Sequence, residues 1–593
     1  SRSIPIPKDF EKKSVAEYEK EKSSLKYVFM NRILPAATLF GIVAVLFACV
    51  IILGKTFVYE PLVAESLYKS GYDAIEDARY TQSLSLFDEA VRHVEKKRWY
   101  FRYARAYREK KQYITAEMMY VRLLDRYHND KAGGLEYADM LRSDLRNFEK
   151  AEQVLKRRVL DNYVNDPDGL LSLGDNYLDW AEEDSSKYEP ARKTYATLIE
   201  HYGMKDPYIA RMMRFFIRTD KLSEVLPLKE HFMNKRAKIG ASDLIELSGY
   251  LLEKRYHPGP GDSQVLIDKI EDVRALLERA VKADEKSPEA NYNMGRFFIY
   301  NFKDDLAAKA LAETIKLFDE GPTMSPRRVL TRVDAYRLLG ETQVAAKEYL
   351  KAQDTYGKGI SIYEEQRANR GVMQDARVGT LYADYADVDY FITGDLDNAL
   401  RNYGKSCDEL HDTPSVRYRI GYIQYRNQDF EGAMNSFIKV HTDISFDRNL
   451  LYGFGNTLFR RGDYYAAQGY YDALMEDLES ERIRKNVIFP QMRIDHAAFV
   501  EEYMHAANNL GVTLNRIALR TGDSRKNARA LSLLSDSVRA WDALTRNPET
   551  LVRAQGTNLA FLNIQNMTHP HSGFESEIYA DIPRTLDKEK PLE

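Results

Sequence analysis

From Gly71 to Leu544 the chain repeats one arrangement of hydrophobic and polar positions. Apolar and aromatic residues fall three and four apart along two successive stretches, each closed by a short polar turn, which predicts pairs of amphipathic helices. The frame is sharpest in the second half. Ala399 precedes Tyr403 by four, Ala433 precedes Phe437 and Ala467 precedes Tyr471, and successive alanines are 34 residues apart. An apolar residue lies three before each alanine (Leu396, Phe430, Tyr464), and a glycine lies twelve before the last two (Gly421, Gly455). One unit thus reads Ile420, Gly421, Phe430, Ala433, Phe437, Val440 after Pro414. The next reads Phe454, Gly455, Leu458, Gly462, Tyr464, Ala467, Tyr471, Leu474. Gly421 and Ala433 are expected where the two helices of a unit cross closely, with Phe430 and Phe437 filling the gap to the next unit.

Less regular copies extend the array. Gly71, Tyr80, Phe87 and Ala90 fit the frame, followed by Ala104, Tyr107, Tyr113, Ala116 and Tyr120, then Phe148, Ala151 and Leu155, then Gly174, Tyr177, Ala191 and Tyr195. A degenerate unit is expected over Tyr208 to Met233, and others around Leu276–Pro288, Gly295–Leu311, Gly340–Ala352 and Leu510–Leu544. Breaks occur at Tyr256–Ser263 (YHPGPGDS), where prolines remove backbone donors, at Gly321–Pro326 (GPTMSP), and at Glu479–His496. A helical stack must cover its last apolar face, so Leu551–Met567 is expected to form a capping helix, with an extended tail after it.

A 34-residue period with small residues at these positions closely resembles the tetratricopeptide repeat (TPR). The resemblance implies an all-α chain, a TPR-like α-solenoid of about ten helix pairs, whose first helices line an inner binding surface.

The stretch Ile33 to Leu53 carries no charged residue. At about 1.5 Å rise per residue it is long enough to cross the roughly 30 Å hydrocarbon core of a bilayer. It is read as a single transmembrane helix presenting Ile33, Leu39, Phe40, Val43, Leu46, Ile51 and Leu53 to lipid. Lys8, Lys12, Lys13, Lys20, Lys22, Lys26 and Arg32 precede it, whereas only Lys55 and Lys69 follow soon after. That bias places the N-terminus in the cytoplasm and the bulk of the chain across the membrane. The expected organisation is therefore a charged tail at 1–32, which alternates Lys and Glu, and a membrane helix at 33–53. An N-terminal array at 54–320 with a loop insertion near 256–263, a C-terminal array at 321–550, and a cap with its tail at 551–593 complete it.

The chain has 593 residues, with 86 Lys and Arg against 90 Asp and Glu, a net charge of −4 that argues against nucleic acid as a partner. Its two cysteines, Cys49 and Cys407, form neither a disulfide framework nor a thiolate metal site; Cys49 follows a lipobox-like Leu46, Phe47, Ala48 but reads as a small hydrophobe within the span. Glu501 and His505 share a helix face without a third ligand. Phosphate-binding loops, nucleophile elbows and metalloprotease spacing are absent, so no enzyme, cofactor or metal is expected.

Tyrosine outnumbers phenylalanine 41 to 25, consistent with half-buried aromatic positions. By the TPR resemblance, the inner face carries Tyr418, Tyr422, Tyr425 and Arg426 from one unit and Tyr452, Asn456 and Arg460 from the next. These tyrosines are expected to be exposed, and exposed tyrosine beside arginine is the composition of protein-binding hot spots. Arg98, Arg105 and Arg108 line the comparable face nearer the membrane, where an acidic partner and a merely solvated basic face are equal expectations. The layout, together with the Asn-rich stretch Gly556–Pro570 (GTNLAFLNIQNMTHP), resembles the TPR proteins of the spirochaete periplasmic flagellar collar. That resemblance implies a single-pass inner-membrane protein with a periplasmic array, a structural scaffold whose partners are flagellar motor or collar subunits or further copies of itself. The alternative is an extracytoplasmic assembly factor or chaperone adaptor for envelope or secretion machinery.

Overall fold

The computed structural model describes residues 14–592 apart from 235–236, 272, 322–324, 371, 492, 547–557 and 571–572. Expectations on residues 1–13, on the middle of the Gly321–Pro326 break and on the first part of the cap lie outside them. Among the described residues the regular structure is all helical, with no strand beyond one isolated bridge. The chain divides into two compact units, Ser1–Lys238 and Ile239–Glu593.

In the first unit, a capping box between Ser14 and Glu17 starts a short helix, Val15–Lys22. A single helix then runs from Leu25 to Glu76. Its apolar stretch buries none of its side chains, and Ile33, Leu39, Phe40, Val43, Leu46, Ile51 and Leu53 are all half or more exposed. It is long and apolar enough to cross a membrane. π-helical turns at Phe29–Ile33 and Lys55–Tyr59 bracket that stretch. The rod does not stop at Leu53: its last part, Glu60–Glu76, is itself the first helix of the first pair and packs on Tyr80–His93.

Four more pairs follow: Lys97–Glu109 with Tyr113–Arg126, Lys131–Ser143 with Phe148–Val154 and its continuation, Pro167–Trp180 with Tyr188–Tyr202, and Asp206–Arg218 with Leu222–Met233. Fully buried tyrosines hold them. Tyr68 stacks on Trp99 with centroids 5.4 Å apart. The Tyr103 hydroxyl donates to the Tyr68 carbonyl at 2.8 Å, and Tyr107 meets Ser83 at 2.9 Å. The ring fills the core while the hydroxyl satisfies a buried polar group, a task phenylalanine cannot perform.

The second unit stacks seven pairs. They are Ala241–Tyr256 with Val273–Ala283, Pro288–Tyr300 with Asp304–Glu320, Pro326–Ala345 with Tyr349–Arg370, Ala376–Val388 with Leu396–Asp408, Pro414–Arg426 with Phe430–Asp443, Arg448–Arg461 with Tyr464–Arg484, and Ala497–Thr521 with Ser524–Thr545. The helix Leu559–Thr568 closes the stack. Twelve pairs stand among the described residues, where about ten were expected. The degenerate unit over 206–233 keeps the packing with no glycine, and a loop with the short helix Gln264–Asp268 splits 241–283.

Aspartates start many of these helices: the carboxylates of Asp395, Asp429 and Asp447 accept from the amides of Asn398, Gly432 and Leu450 at 2.9–3.0 Å. Gly462, with φ +83°, ends Arg448–Arg461 in the left-handed conformation that glycine adopts without strain. The close crossing is real. A Cβ on Gly421 would lie 2.6 Å from the Phe437 ring, and one on Gly455 would lie 2.4 Å from Tyr471. Phe437 rests on Gly421 of its own unit and reaches Gly453 and Phe454 of the next only with its other edge, and Phe430 packs against Tyr425 of its own unit. The missing side chain makes a socket, and the second-helix aromatic fills it first.

Candidate functional site

The inner face of the second unit is built by Pro414–Arg426, Arg448–Arg461 and Ala497–Thr521, with Leu559–Thr568 at its end. Across it, residues 574–583 run without helix or turn, followed by a bend at 584–585 and a turn over 586–589, in the direction opposite to the order of the pairs. The groove is filled by the chain's own C-terminal segment.

Side-chain amides hold the backbone of this segment. Asn563 Nδ2 donates to the Glu577 carbonyl at 2.8 Å while its Oδ1 accepts from the Glu577 amide at 2.9 Å. Asn509 treats Tyr579 in the same way, at 3.0 and 2.7 Å. Asn456 donates to the carbonyls of Tyr579 and Ala580, and Asn449 to that of Thr585. A carboxamide presents one donor and one acceptor side by side, so it matches a peptide unit whatever its side chain is. Tyrosine hydroxyls complete the row: Tyr452 donates to Tyr579 at 3.1 Å, Tyr425 to Ala580 at 2.8 Å, Tyr418 to Pro583 at 2.9 Å and Tyr390 to Arg584 at 2.7 Å.

Selectivity comes from the segment's side chains. Ile578, Ile582 and Leu586, four residues apart, are buried. The Arg584 guanidinium lies over the Tyr390 and Phe391 rings, 4.8 and 5.5 Å from their centroids. Glu589 meets Arg419 at 3.3 Å and the Ser415 hydroxyl. Tyr579 covers His505, centroids 4.1 Å apart.

Contacts and ordering cost are of similar size. At least twenty hydrogen bonds join residues 575–589 to the rest of the chain; at about 1 kcal/mol net each, with three aliphatic side chains at about 2 kcal/mol each, they give roughly 26 kcal/mol. Ordering fifteen residues, Glu575 to Glu589, costs about 1–2 kcal/mol apiece, a comparable sum.

The electrostatics follow from burial. Desolvation pushes the phenols of Tyr418, Tyr425 and Tyr452 up, so they remain donors; Arg460 and Asn456 pull Tyr425 partly back. Burial opposes the charge of Arg419, but Asp387, Tyr403 and Glu589 hold its pKa above the usual value. Burial raises Glu502 to about 7 against the pull of Arg448, with Asp587, Glu481 and Asp477 adding to the rise. Burial also lowers His505. Among the described residues no three His, Cys, Asp or Glu side chains are grouped as metal ligands.

The structure brings Tyr418, Tyr422, Tyr425, Arg426, Tyr452 and Asn456 together on one face. They are not exposed tyrosines, however: Tyr418 is fully covered, and Tyr422, packed on Tyr390 at 5.6 Å, is buried with the others. Arg426 reaches Asp581 at 3.3 Å on the rim, and Arg460 is exposed.

Arg98, Arg105 and Arg108 belong to the first unit, and each is paired with its own chain. Arg98 and Lys96 share Glu65, whose carboxyl is held at about 2 by those cations despite its desolvation. Arg105 meets Glu136 through two nitrogens, and Arg108 meets Asp139 and Asp144. These pairs bridge successive first helices, which gives the basic row a part in stacking.

Asn508, Asn509, Asn563, Arg419, Tyr390 and the segment itself escaped the sequence reading. Two signals point to them: an Asn-Asn doublet amid apolar helix positions, and Ile578, Ile582 and Leu586 at regular spacing in a tail that otherwise reads as solvated.

No family model matches the sequence, and no curated protein matches it. Among solved structures, a chain of the crystal structure of the APC/C hetero-tetramer Cut9–Hcn1 is similar over 83% of this chain and 99% of that one. The identity is 13% and the TM-score 0.31, too low to carry an argument. The solenoid assignment stands on the helix pairs described above.

Proposed function

We propose that this chain is a membrane-anchored periplasmic scaffold that binds other proteins, and that it serves as a structural component of the flagellar motor collar. The observation that carries the reading is the unbroken rod Leu25–Glu76, which leads from an apolar, wholly exposed stretch directly into the first helix pair. An anchor continuous with the array transmits position and load better than one joined by a loose linker. The N-terminal Lys and Arg excess orients the chain with its N-terminus in the cytoplasm. The layout and the Asn-rich closing helix support the collar role, and the groove that holds an extended polypeptide supports protein partners. Deleting the gene and imaging the motor in place tests this: an altered motor periphery is expected, and an intact one rejects the collar role. Fixed-ratio co-purification with motor proteins is also expected.

A transient assembly factor or adaptor is the second reading. It is favoured by one feature, the groove filled by the chain's own segment, which a client would displace. Substoichiometric recovery with clients would select it.

A further inference from the structure

The most developed binding surface of the molecule is already filled, and its filling is specific. The Asn449, Asn456, Asn509 and Asn563 amides grip backbone; sockets receive Ile578, Ile582 and Leu586; Tyr390 and Phe391 take Arg584; and Arg419 takes Glu589. The sequence shown to satisfy every one of these requirements is this chain's own.

We propose that residues 574–590 of one copy occupy the inner groove of a second copy, so that tail exchange joins copies of this protein. The proposal rests on reading the groove as a binding site for extended polypeptide. Three observations carry it. An identical tail makes identical contacts, so exchange between copies changes no contact energy and is governed by concentration. The tail stands near balance between its contacts and its ordering cost, so leaving its own groove is not prohibitive. Only four residues, 569–572, separate the helix end at Thr568 from Gly573 in the sequence, and short connections favour exchange. Anchoring in one bilayer would raise the local concentration of copies further.

The rim pair Arg426 and Asp581, 3.3 Å apart and 50% and 95% exposed at their side chains, offers a test that leaves the core intact. In the full chain, with Cys49→Ser and Cys407→Ser as background, Arg426→Cys is placed on one tagged copy and Asp581→Cys on a second, differently tagged copy. The two are co-expressed and treated in membranes with a short bismaleimide. A cross-linked species of doubled mass bearing both tags is expected. It should be lost, at unchanged helix content, when Ile578→Asp and Ile582→Asp eject the tail. A single chain carrying both cysteines is the control. If it links internally and no two-tag product forms at any expression level, the tail serves only its own groove and exchange is overturned. If the doubly substituted chain is folded yet gives neither internal nor two-tag product, the groove reading fails as well.

Discussion

Asn509 pairs with both backbone atoms of Tyr579, its Nδ2 donating to the carbonyl at 3.0 Å and its Oδ1 accepting from the amide at 2.7 Å. The same Nδ2 also reaches the Tyr452 hydroxyl and Asn456 Oδ1, both at 2.9 Å. Replacing Asn509 with Leu leaves the Tyr579 amide without its partner, which costs about 1–3 kcal/mol, whereas the Tyr579 carbonyl, the Tyr452 hydroxyl and Asn456 Oδ1 keep one another and Tyr471. Hydrogen exchange at the Tyr579 amide should accelerate strongly while exchange in Pro167–Trp180 is unchanged. Retained protection at Tyr579 would show that the clamp is unimportant.

Gly455→Ala places a methyl group 2.4 Å from the Tyr471 ring, between helices that cannot separate without disturbing their neighbours. A loss of about 1–3 kcal/mol is expected by denaturant unfolding. Gly469→Ala, which meets nothing within 4 Å on the Tyr464–Arg484 helix, should be neutral or stabilising by up to about 1 kcal/mol. Equal effects at the two sites would contradict the socket.

Glu502 has a folded-state pKa of about 7, above the ordinary 4.5, chiefly through burial. A raised carboxyl contributes stability that is present below about pH 4.5 and is lost as pH rises through about 7. Glu502→Gln should therefore raise the unfolding midpoint at pH 8 and leave it nearly unchanged at pH 4.5. The gain has an upper bound of about 3 kcal/mol at about 1.4 per unit, reduced by solvent access. Arg448 keeps Asp477 and Glu481 in the variant. A gain that is independent of pH would refute this account.

Arg105 and Arg108 are expected to differ. The Arg105–Glu136 pair is largely solvated, with the arginine side chain 59% exposed, so Arg105→Ala should cost no more than about 1 kcal/mol. Arg108 is less exposed and bridges Asp139 and Asp144; its loss leaves Asp144 short of a partner and should cost more. Double-mutant cycles against Glu136 and Asp144 measure both.

Val43→Asp combined with Leu46→Asp introduces two carboxylates into the apolar stretch, each expensive in hydrocarbon, at about 2.5–3.5 kcal/mol on insertion scales. The chain should move from the alkaline-resistant membrane pellet to the soluble fraction. Persistence in the pellet would argue against a spanning helix.

The paired helices were legible because their signal is local. Gly421, Ala433 and Phe437 stand at fixed spacing, and the close crossing they imply depends on one unit alone. The inner-face tyrosines could likewise be placed by register. Their exposure could not, because what covers Tyr418, Tyr425 and Tyr452 lies between 127 and 165 residues further along the chain, and no periodicity links two such segments.

Sequence alone determined the all-helical repeat, the apolar segment near the N-terminus and the composition of the inner face, since each follows from side-chain spacing within one or two helices. Only the tertiary structure decided that the apolar rod continues into the first pair, that Arg98, Arg105 and Arg108 are matched by neighbouring carboxylates, and that the groove is filled. These outcomes depend on which distant groups meet when the helices stack, and an amide clamp such as Asn509 acquires its meaning only from the backbone it meets.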